Sequence, residues 1–316
     1  MATNNWVIGS QGLLGSSVGA ELLKNYSVWQ PSQRIIWTST NDVDSIILME
    51  KSIDACVSEF SKIRTEQSWN IYWCAGVGVV KSSKEFLEIE VRAIKFLLNS
   101  LGKHGLTSCK NSKIFFASSA GGVYAGSINP PFNEMSIPVP ISNYGKQKIE
   151  IEELLVDFGE KCGVGVILGR IANLYGPKQN RLKQQGLVTT LVQHAISNTA
   201  ARLYVPLSTI RNYIYADDAA FQIVSYVRNT DQIKRTVVIC SENNWSLSNI
   251  LRMTQDVTKK RMYYSQSSTE VTALQPIDLR LATEQAFPSQ RYLETPMVVG
   301  INNIRLQLLH NLSLGK

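Results

Sequence analysis

The sequence predicts an α/β fold in which a parallel sheet is covered on both faces by helices. Three observations predict it. Short apolar runs read as strands and alternate with longer helical stretches, the pattern of a parallel sheet with crossover helices. The first run leads straight into a glycine-rich turn and a helix. With 316 residues, 44% of them apolar, the chain is long enough to bury one large domain or two closely fused ones.

Trp6-Val7-Ile8 forms the first strand, followed by Gly9-x-x-Gly12-x-x-Gly15 and a helix over Ser16 to Lys24. On the bland reading this is a strand-to-helix turn that needs glycine. On the functional reading Gly9 makes the turn, Gly12 lets a pyrophosphate approach the backbone and the helix N-terminus, and Gly15 permits close helix–strand packing. The spacing is one residue longer than the dinucleotide fingerprint G-x-G-x-x-G. Arg34-Ile-Ile-Trp-Thr38 is expected to be the second strand, ending in Thr38-Ser39-Thr40-Asn41. Sites that choose NAD usually place an acid at this strand end. None stands here, and Ser39, Thr40 and Arg34 could receive a 2′-phosphate, which favours NADP; Asp42 and Asp44 keep NAD open.

Residues 46–66 read as a helix and Trp69 to Cys74 as the next strand, followed by Ala75-Gly76-Val77-Gly78. Small residues at a strand's carboxyl end let a flat cofactor approach the backbone, or form an ordinary loop. Ser82 to Leu101 is amphipathic, Lys113 to Ala117 is a strand running into Ser118-Ser119, and a proline-rich stretch from Asn129 to Pro140 delivers the chain to Tyr144. Val164 to Arg170 is another strand. Beyond Pro177 the pattern loosens: Lys178 to Gln185 reads as polar loop and Gly186 to Ser197 as helix. Arg211 to Asp218 leads into a helix ending near Val227, Thr236 to Cys240 is a strand, and the tail from Trp245 holds at least one helix.

Tyr144-Gly145-Lys146-Gln147-Lys148 carries the chemistry. If it opens a helix, Tyr144 and Lys148 lie one turn apart on one face, so a phenol and an ammonium act on one small region. A tyrosine in water ionises near pH 10, and an ammonium beside it favours the phenolate that proton transfer requires. With twelve tyrosines, roughly one such match is expected by chance, so its neighbours in the chain must carry the argument.

Composition excludes several classes. There is no twenty-residue uncharged apolar run, so the chain reads as globular and not membrane-spanning. Met1 to Trp6 lacks a basic n-region, which argues against a signal peptide and for the cytoplasm. Five scattered cysteines and three histidines suggest neither a zinc site nor a disulfide framework. The +7 net charge comes from dispersed lysines and arginines without interleaved aromatics, which suits an anionic small molecule better than nucleic acid.

Taken in order, Gly9-x-x-Gly12-x-x-Gly15, Ala75-Gly76, Ser118-Ser119 with Val123-Tyr124, Tyr144-x-x-x-Lys148, Arg170-Ile-Ala-Asn173-Leu-Tyr-Gly-Pro177 and Arg211-Asn-Tyr-Ile-Tyr-Ala-Asp-Asp218 resemble the extended short-chain dehydrogenase/reductases, the nucleotide-sugar epimerase/dehydratase/reductase group. The resemblance spans nearly the whole chain. It implies a Rossmann-like doubly wound NAD(P)-binding domain over residues 1–176 and about 211–242. A smaller C-terminal domain, residues 177–210 and 243–316, would bind a nucleotide diphosphate sugar. Tyr144 would be the proton donor or acceptor at the sugar, Lys148 would hold the nicotinamide ribose, and Ser119 would bond the same sugar oxygen, with Ser118 and Ala120 as alternative occupants of that place. Cofactor contacts would come from Gly9, Gln11, Gly12, Leu13, Gly15, Ser39, Ala75 and Gly76, and substrate contacts from Asn173, Leu187 and Arg211. No metal is needed.

Dehydratases of this group carry an acidic pair after the serine or threonine; here Ala120, Gly121 and Gly122 follow, which speaks against elimination. The resemblance favours reduction of a 4-keto-6-deoxy sugar at C4, because the region between the second and third strands is short, as in NADP-using deoxysugar reductases. The alternatives are a 4-epimerase with retained NAD and a non-catalytic NAD(P)-binding protein. Glu90 stands where many members have asparagine, and a homodimer packing the helices near 82–101 and 144–158 is the family's arrangement.

Overall fold

The computed structural model describes residues 4–62, 68–76, 78–179, 186–230, 234–267, 275–284 and 293–314. Val77 and most of the polar stretch expected to be loop, residues 180–185, lie outside the described residues.

Six strands build the main sheet: β1 (Asn4–Ile8), β2 (Val28–Trp29), β3 (Trp69–Trp73), β4 (Lys113–Ser119), β5 (Gly165–Ile171) and β9 (Lys234–Ile239). Their order is β2-β1-β3-β4-β5-β9, and every pair is parallel. β3 and β5 are buried along their whole length, as a sheet covered on both faces requires. Side chains alternate between two cores. Trp6, Ile8, Ile71, Trp73, Ile114 and Phe116 meet helices α2 (Val43–Ser61), α3 (Lys84–Lys103) and α5 (Asn143–Cys162). Val7, Tyr72, Phe115 and Ile167 meet α1 (Leu13–Leu23) and α7 (Ala216–Asn229). The sheet is therefore doubly wound.

The second strand differs from expectation. Arg34 to Thr38 is not a strand; the parallel partner of β1 is Val28–Trp29, with Asn5 opposite Val28 and Trp6 opposite Trp29. The cause is aromatic packing close behind α1. The Trp29 ring lies 5.2 Å from that of Trp6, edge-on, and 4.9 Å from that of Phe60, while the Asn5 amide donates to the Ser27 carbonyl at 2.9 Å. Pro31 then stands where a longer strand would need an N–H. Ile36 and Trp37 remain about half exposed, with Trp37 edge-on to Trp73 at 5.8 Å.

The remaining described strands stand apart from the main sheet. β8 (Ile210–Tyr215) runs antiparallel to β10 (Asn244–Ser246) and parallel to β12 (Asp278–Leu279) and β6 (Asn173–Tyr175). β7 (Ala200–Leu203) pairs with β11 (Tyr263–Gln266). A third core, including Leu191, Val192, Ile250, Ile301 and Ile304, joins α6 (Leu187–Ser197), α8 (Leu247–Thr258) and α9 (Met297–Ser313). Residues 211–215, expected with the cofactor part of the chain, thus form the middle strand of the smaller sheet. Fully buried Asn212 ties that sheet to the end of β9: its amide donates to the Ser241 carbonyl at 2.9 Å and accepts from the Ser241 N–H at 2.9 Å. Among the described residues no helix is long and apolar enough to cross a membrane, and no cluster of histidine, cysteine and carboxylate groups could hold a metal ion.

If Trp29 rather than Trp37 anchors the sheet edge, Trp29→Ala should lower unfolding free energy by about 2–4 kcal/mol and Trp37→Ala by less than about 1 kcal/mol. Equilibrium denaturation measures both, and equal losses would refute the assignment.

Candidate active site

The chain order of the sheet reverses between β1 and β3, and ligands of open parallel sheets bind outside the carboxyl ends of strands at such a point. A cavity of about 700 Å³ opens there. Its floor is made by glycine. Gly9 has φ +87°, and a Cβ on it would lie 2.6 Å from the Ala75 nitrogen, so β1 and β3 approach closely only because residue 9 has no side chain. A Cβ at Gly15 would lie 2.2 Å from the Gly9 carbonyl oxygen, so α1 is seated directly on the turn. Gly12 caps α1 without a side-chain hydrogen bond, and no acid occupies the first turn. These N–H groups and the helix dipole suit a diphosphate, so the residues fit a dinucleotide.

Of the expected cofactor residues, Gly9, Gln11, Gly12, Gly15, Ala75 and Gly76 line this cavity; Leu13, Ser39, Tyr144 and Lys148 do not. Ser39 follows Arg34 to Thr38, which form no strand. Its neighbours are engaged locally: Thr38 donates to the Thr40 carbonyl, and Asp42 caps α2 by accepting from the Ser45 N–H at 2.9 Å. Bonding to Thr40 and Ser45 holds the Asp42 carboxyl down at about 2. The strand end that faces the cavity is Trp29-Gln30-Pro31, with Arg34 just beyond. Among the described residues, Arg34 is the only cation lining the cavity and Glu90 the only carboxylate. The Gln11 amide, turned so that its oxygen faces Arg34, accepts from that guanidinium.

Tyr144 sits on a second glycine floor. Ser142 caps α5 by accepting from the Gly145 N–H at 3.1 Å. A Cβ on Gly145 would lie 2.2 Å from the Gly122 carbonyl oxygen, and one on Gly122 would lie 3.0 Å from the Tyr144 ring. The start of α5 is thus pressed onto the short helix α4 (Ala120–Val123), with the Tyr144 ring over Gly122 and beside Gly78. One turn later Lys148 is buried, its Nζ 5.6 Å from the Tyr144 ring centroid and 4.9 Å from that of Phe116. Lys148 is held by Glu90, at 2.9 and 3.2 Å to the two carboxylate oxygens. Burial disfavours the Lys148 ammonium, but Glu90, Tyr144 and the hydrogen bond to Glu90 outweigh it, and its pKa is raised.

Strand register separates the two serines. Ser118, opposite Arg170, is buried and donates to Glu152 at 2.6 Å. Glu152 also receives Arg170 at 2.7 and 3.2 Å, and Arg170 donates to the Tyr124 hydroxyl at 2.9 Å. The Arg170 and Tyr124 of the ordered motifs therefore form a buried bracket behind the site. Ser119 points to the other side, where its hydroxyl accepts from the Gly122 N–H at 3.2 Å as the cap of α4.

The expected substrate residues Asn173, Leu187 and Arg211 lie on β6, α6 and β8 and do not line the dinucleotide cavity. The Asn173 amide donates to the Asn212 carbonyl at 2.9 Å, and Leu187 opens α6. Among the described residues Arg211 forms no salt bridge; it donates to the carbonyls of Ile210, Ile277 and Pro276 at 2.8, 3.2 and 2.7 Å, and burial lowers its pKa. Sequence reasoning missed Trp29, Gln30, Trp37 and Gln147 as cavity residues. The Trp-Gln-Pro sequence after α1 was the available signal for the strand end.

Parallel sheet, glycine turn and Tyr–Lys pair together define the class of dinucleotide-binding α/β proteins. Residues 6–240 match the model of the NAD dependent epimerase/dehydratase family, and the chain belongs to that family. It is 26% identical over 242 residues to dTDP-D-glucose 4,6-dehydratase of Dictyostelium discoideum, covering 69% of this chain and 54% of that one. It is 31% identical over 106 residues to dTDP-4-dehydro-6-deoxyglucose reductase of Escherichia coli, covering 34% and 33%. The chain thus matches a third to about half the length of these relatives. Among solved structures, UDP-glucose 4-epimerase of Thermotoga maritima with UDP-glucose superposes with a TM-score of 0.76 at 19% identity, over 98% of this chain and 100% of that one.

Gly15→Ala, which forces a carbon onto the Gly9 carbonyl, should raise the Kd of the dinucleotide at least about tenfold. Titration by quenching of tryptophan fluorescence measures it, and an unchanged Kd would remove the cradle from the site.

Proposed function

We propose that the protein is an NAD(P)-dependent oxidoreductase that reduces the C4 ketone of a nucleotide-linked 4-keto-6-deoxy sugar. The observation that carries the reading is the placement of Tyr144, on a floor of glycine at the carboxyl end of the sheet, with the Lys148 ammonium 5.6 Å from its ring. Bound nicotinamide supplies the hydride. Tyr144 gives its phenolic proton to the ketone oxygen as C4 becomes a carbinol carbon, and solvent restores that proton. Lys148 stabilises the negative charge left on Tyr144. Ser119, whose neighbour Ser118 is committed to Glu152, is the serine available to bond the sugar oxygen. Arg211 and Asn173 would meet the diphosphate of the substrate, with the start of α6 at Leu187.

Reduction is supported over elimination by Ala120, Gly121 and Gly122, which offer no side chain to move a second proton. The relatives include both a dTDP-4-dehydro-6-deoxyglucose reductase and, over more of this chain, a dTDP-D-glucose 4,6-dehydratase, so the choice rests on the side chains after Ser119. A 4-epimerase retaining NAD is the second reading, supported by a likeness, 28% identical over 108 residues, to a putative UDP-glucose 4-epimerase of Methanocaldococcus jannaschii. A homodimer across α3 and α5 belongs to the same reading, and rests on the family resemblance alone, since Lys95 of α3 already pairs with Glu150 of α5 within the chain at 3.5 Å. NADP is favoured because Arg34 is the one cation lining the cavity among the described residues and no acid directly follows β2.

Offered NADPH and a dTDP-linked 4-keto-6-deoxy sugar, the protein should consume NADPH, read at 340 nm. Copurified NAD, interconversion of two sugars and no net oxidation would instead establish the epimerase. Tyr144→Phe should cut kcat at least about 100-fold with the cofactor Kd within about threefold of the original; retained turnover would show that another group is the acid. Arg34→Ala should raise the Kd for NADPH about tenfold and leave that for NADH within about twofold, and equal effects on both would overturn the NADP preference.

A further inference from the structure

Lys148 is the group that would stabilise a phenolate on Tyr144, yet its ammonium is already claimed. Glu90, reaching over from α3, receives it at 2.9 and 3.2 Å on its two oxygens. The two side chains are 4% and 10% exposed, so the charges meet with little water to screen them. Of the charges acting on Lys148, Glu90 is the strongest and Tyr144 comes next.

Glu90 is held in this position from several sides. Its oxygens also accept from the Trp73 indole of β3 at 3.4 Å and from the Gln147 amide of α5 at 3.1 Å. A Cβ on Gly76 would stand 3.2 Å from one of them, so backbone lies close behind the carboxylate. Swinging away from Lys148 would forfeit all of these bonds.

The other charged groups around the pair cancel or point elsewhere. Glu152 of α5 also acts on Lys148, but Arg170 of β5 holds both its oxygens, at 3.2 and 2.7 Å. β4 contributes the uncharged Phe116 ring, and α4, beneath Tyr144, consists of Ala120, Gly121, Gly122 and Val123. Lys81, just before α3, places its ammonium 4.7 Å from the Tyr204 ring centroid. Tyr144, Lys148 and Glu90 together are therefore neutral while Tyr144 keeps its proton, and carry one net negative charge once it is lost. An uncompensated charge among buried groups is disfavoured.

We propose that Glu90 makes the Tyr144–Lys148 pair a proton donor: by neutralising the ammonium it keeps the phenol protonated near neutral pH, where an uncharged residue in its place would leave a base. Glu90 is thus a positioning residue that acts through Lys148 and favours the reductive direction. The inference rests on the reading of Tyr144 as the acid, but its main test needs neither substrate nor cofactor.

Ultraviolet difference titration of the protein against Tyr144→Phe isolates the phenolate of Tyr144 without turnover. In Glu90→Gln, and equally in Glu90→Asn, that phenolate should form at least about one pH unit lower than with Glu90 in place. The alkaline limb of the kcat profile for ketone reduction should move down with it. Removing the ammonium as well, in Glu90→Gln with Lys148→Met, restores a neutral surrounding and should bring the phenolate back to within about half a pH unit of the original. A phenolate that forms at an unchanged or higher pH in the single variants overturns the proposal. So does a double variant shifted as far as Glu90→Gln, because Glu90 would then act by supporting the fold and not through Lys148. A shifted titration in a protein that reduces no nucleotide-linked ketone would spare Glu90 and count against the reductase reading, whereas NADPH consumption with an unshifted titration counts against Glu90 alone.

Discussion

Two backbone contacts that only glycine allows hold the site together. At each, a Cβ would stand 2.2 Å from a carbonyl oxygen: Gly15 against Gly9, and Gly145 against Gly122. The first seats α1 on the turn after β1, so that its N-terminal N–H groups face the cavity. The second seats α5 on the turn after β4, so that Tyr144 lies over Gly122. One helix presents a dipole and the other a phenol and an ammonium, and the parallel sheet sets the spacing between them. Any side chain at either contact must lift a helix by more than the tolerance of a hydrogen bond.

Behind the second contact stands the Glu152–Arg170 pair, with Ser118 and Tyr124 completing its hydrogen bonds. Tyr124 also donates to the Asn133 carbonyl at 2.7 Å, so the bracket reaches from α5 through β4 and β5 into the loop that leads to Tyr144. A buried pair of this kind is weak evidence for net stability, but losing one partner strands a charge and costs about 3–5 kcal/mol. Its contribution is orientation: it fixes how α5 lies on the sheet and hence where Tyr144 and Lys148 point. Glu90 does the same from α3, so the ammonium is approached by carboxylates from two helices.

The sheet was legible where burial alone decides. β1, β3, β4 and β5 are strands of five to seven residues with apolar stretches buried on both faces, and their sequences show it. β2 was not. Arg34 to Thr38 has the better strand composition, but the two residues chosen are those that bring Trp29 between Trp6 and Phe60, a contact among three segments that periodicity cannot express. The same limit applies to the site. Glycine spacing marked the cradle, and the Tyr-x-x-x-Lys spacing placed both groups on one face, because those features are local. Which of Ser118 and Ser119 turns inward depends on the pairing of β4 with β5, and the partnership of Glu90 with Lys148 on the packing of α3 against α5. Glu90 was noticeable in sequence only as a departure from asparagine.

The shortness of β2 has a consequence at the rim of the molecule. An outermost strand normally offers a row of unpaired N–H and C=O groups on which another chain can build. Here the outermost strand is two residues long and is followed at once by Gln30 and Pro31, the second of which has no N–H to offer. The rim beside the cofactor cavity is therefore a poor template for strand addition, which leaves that border of the sheet guarded against association with a neighbouring chain.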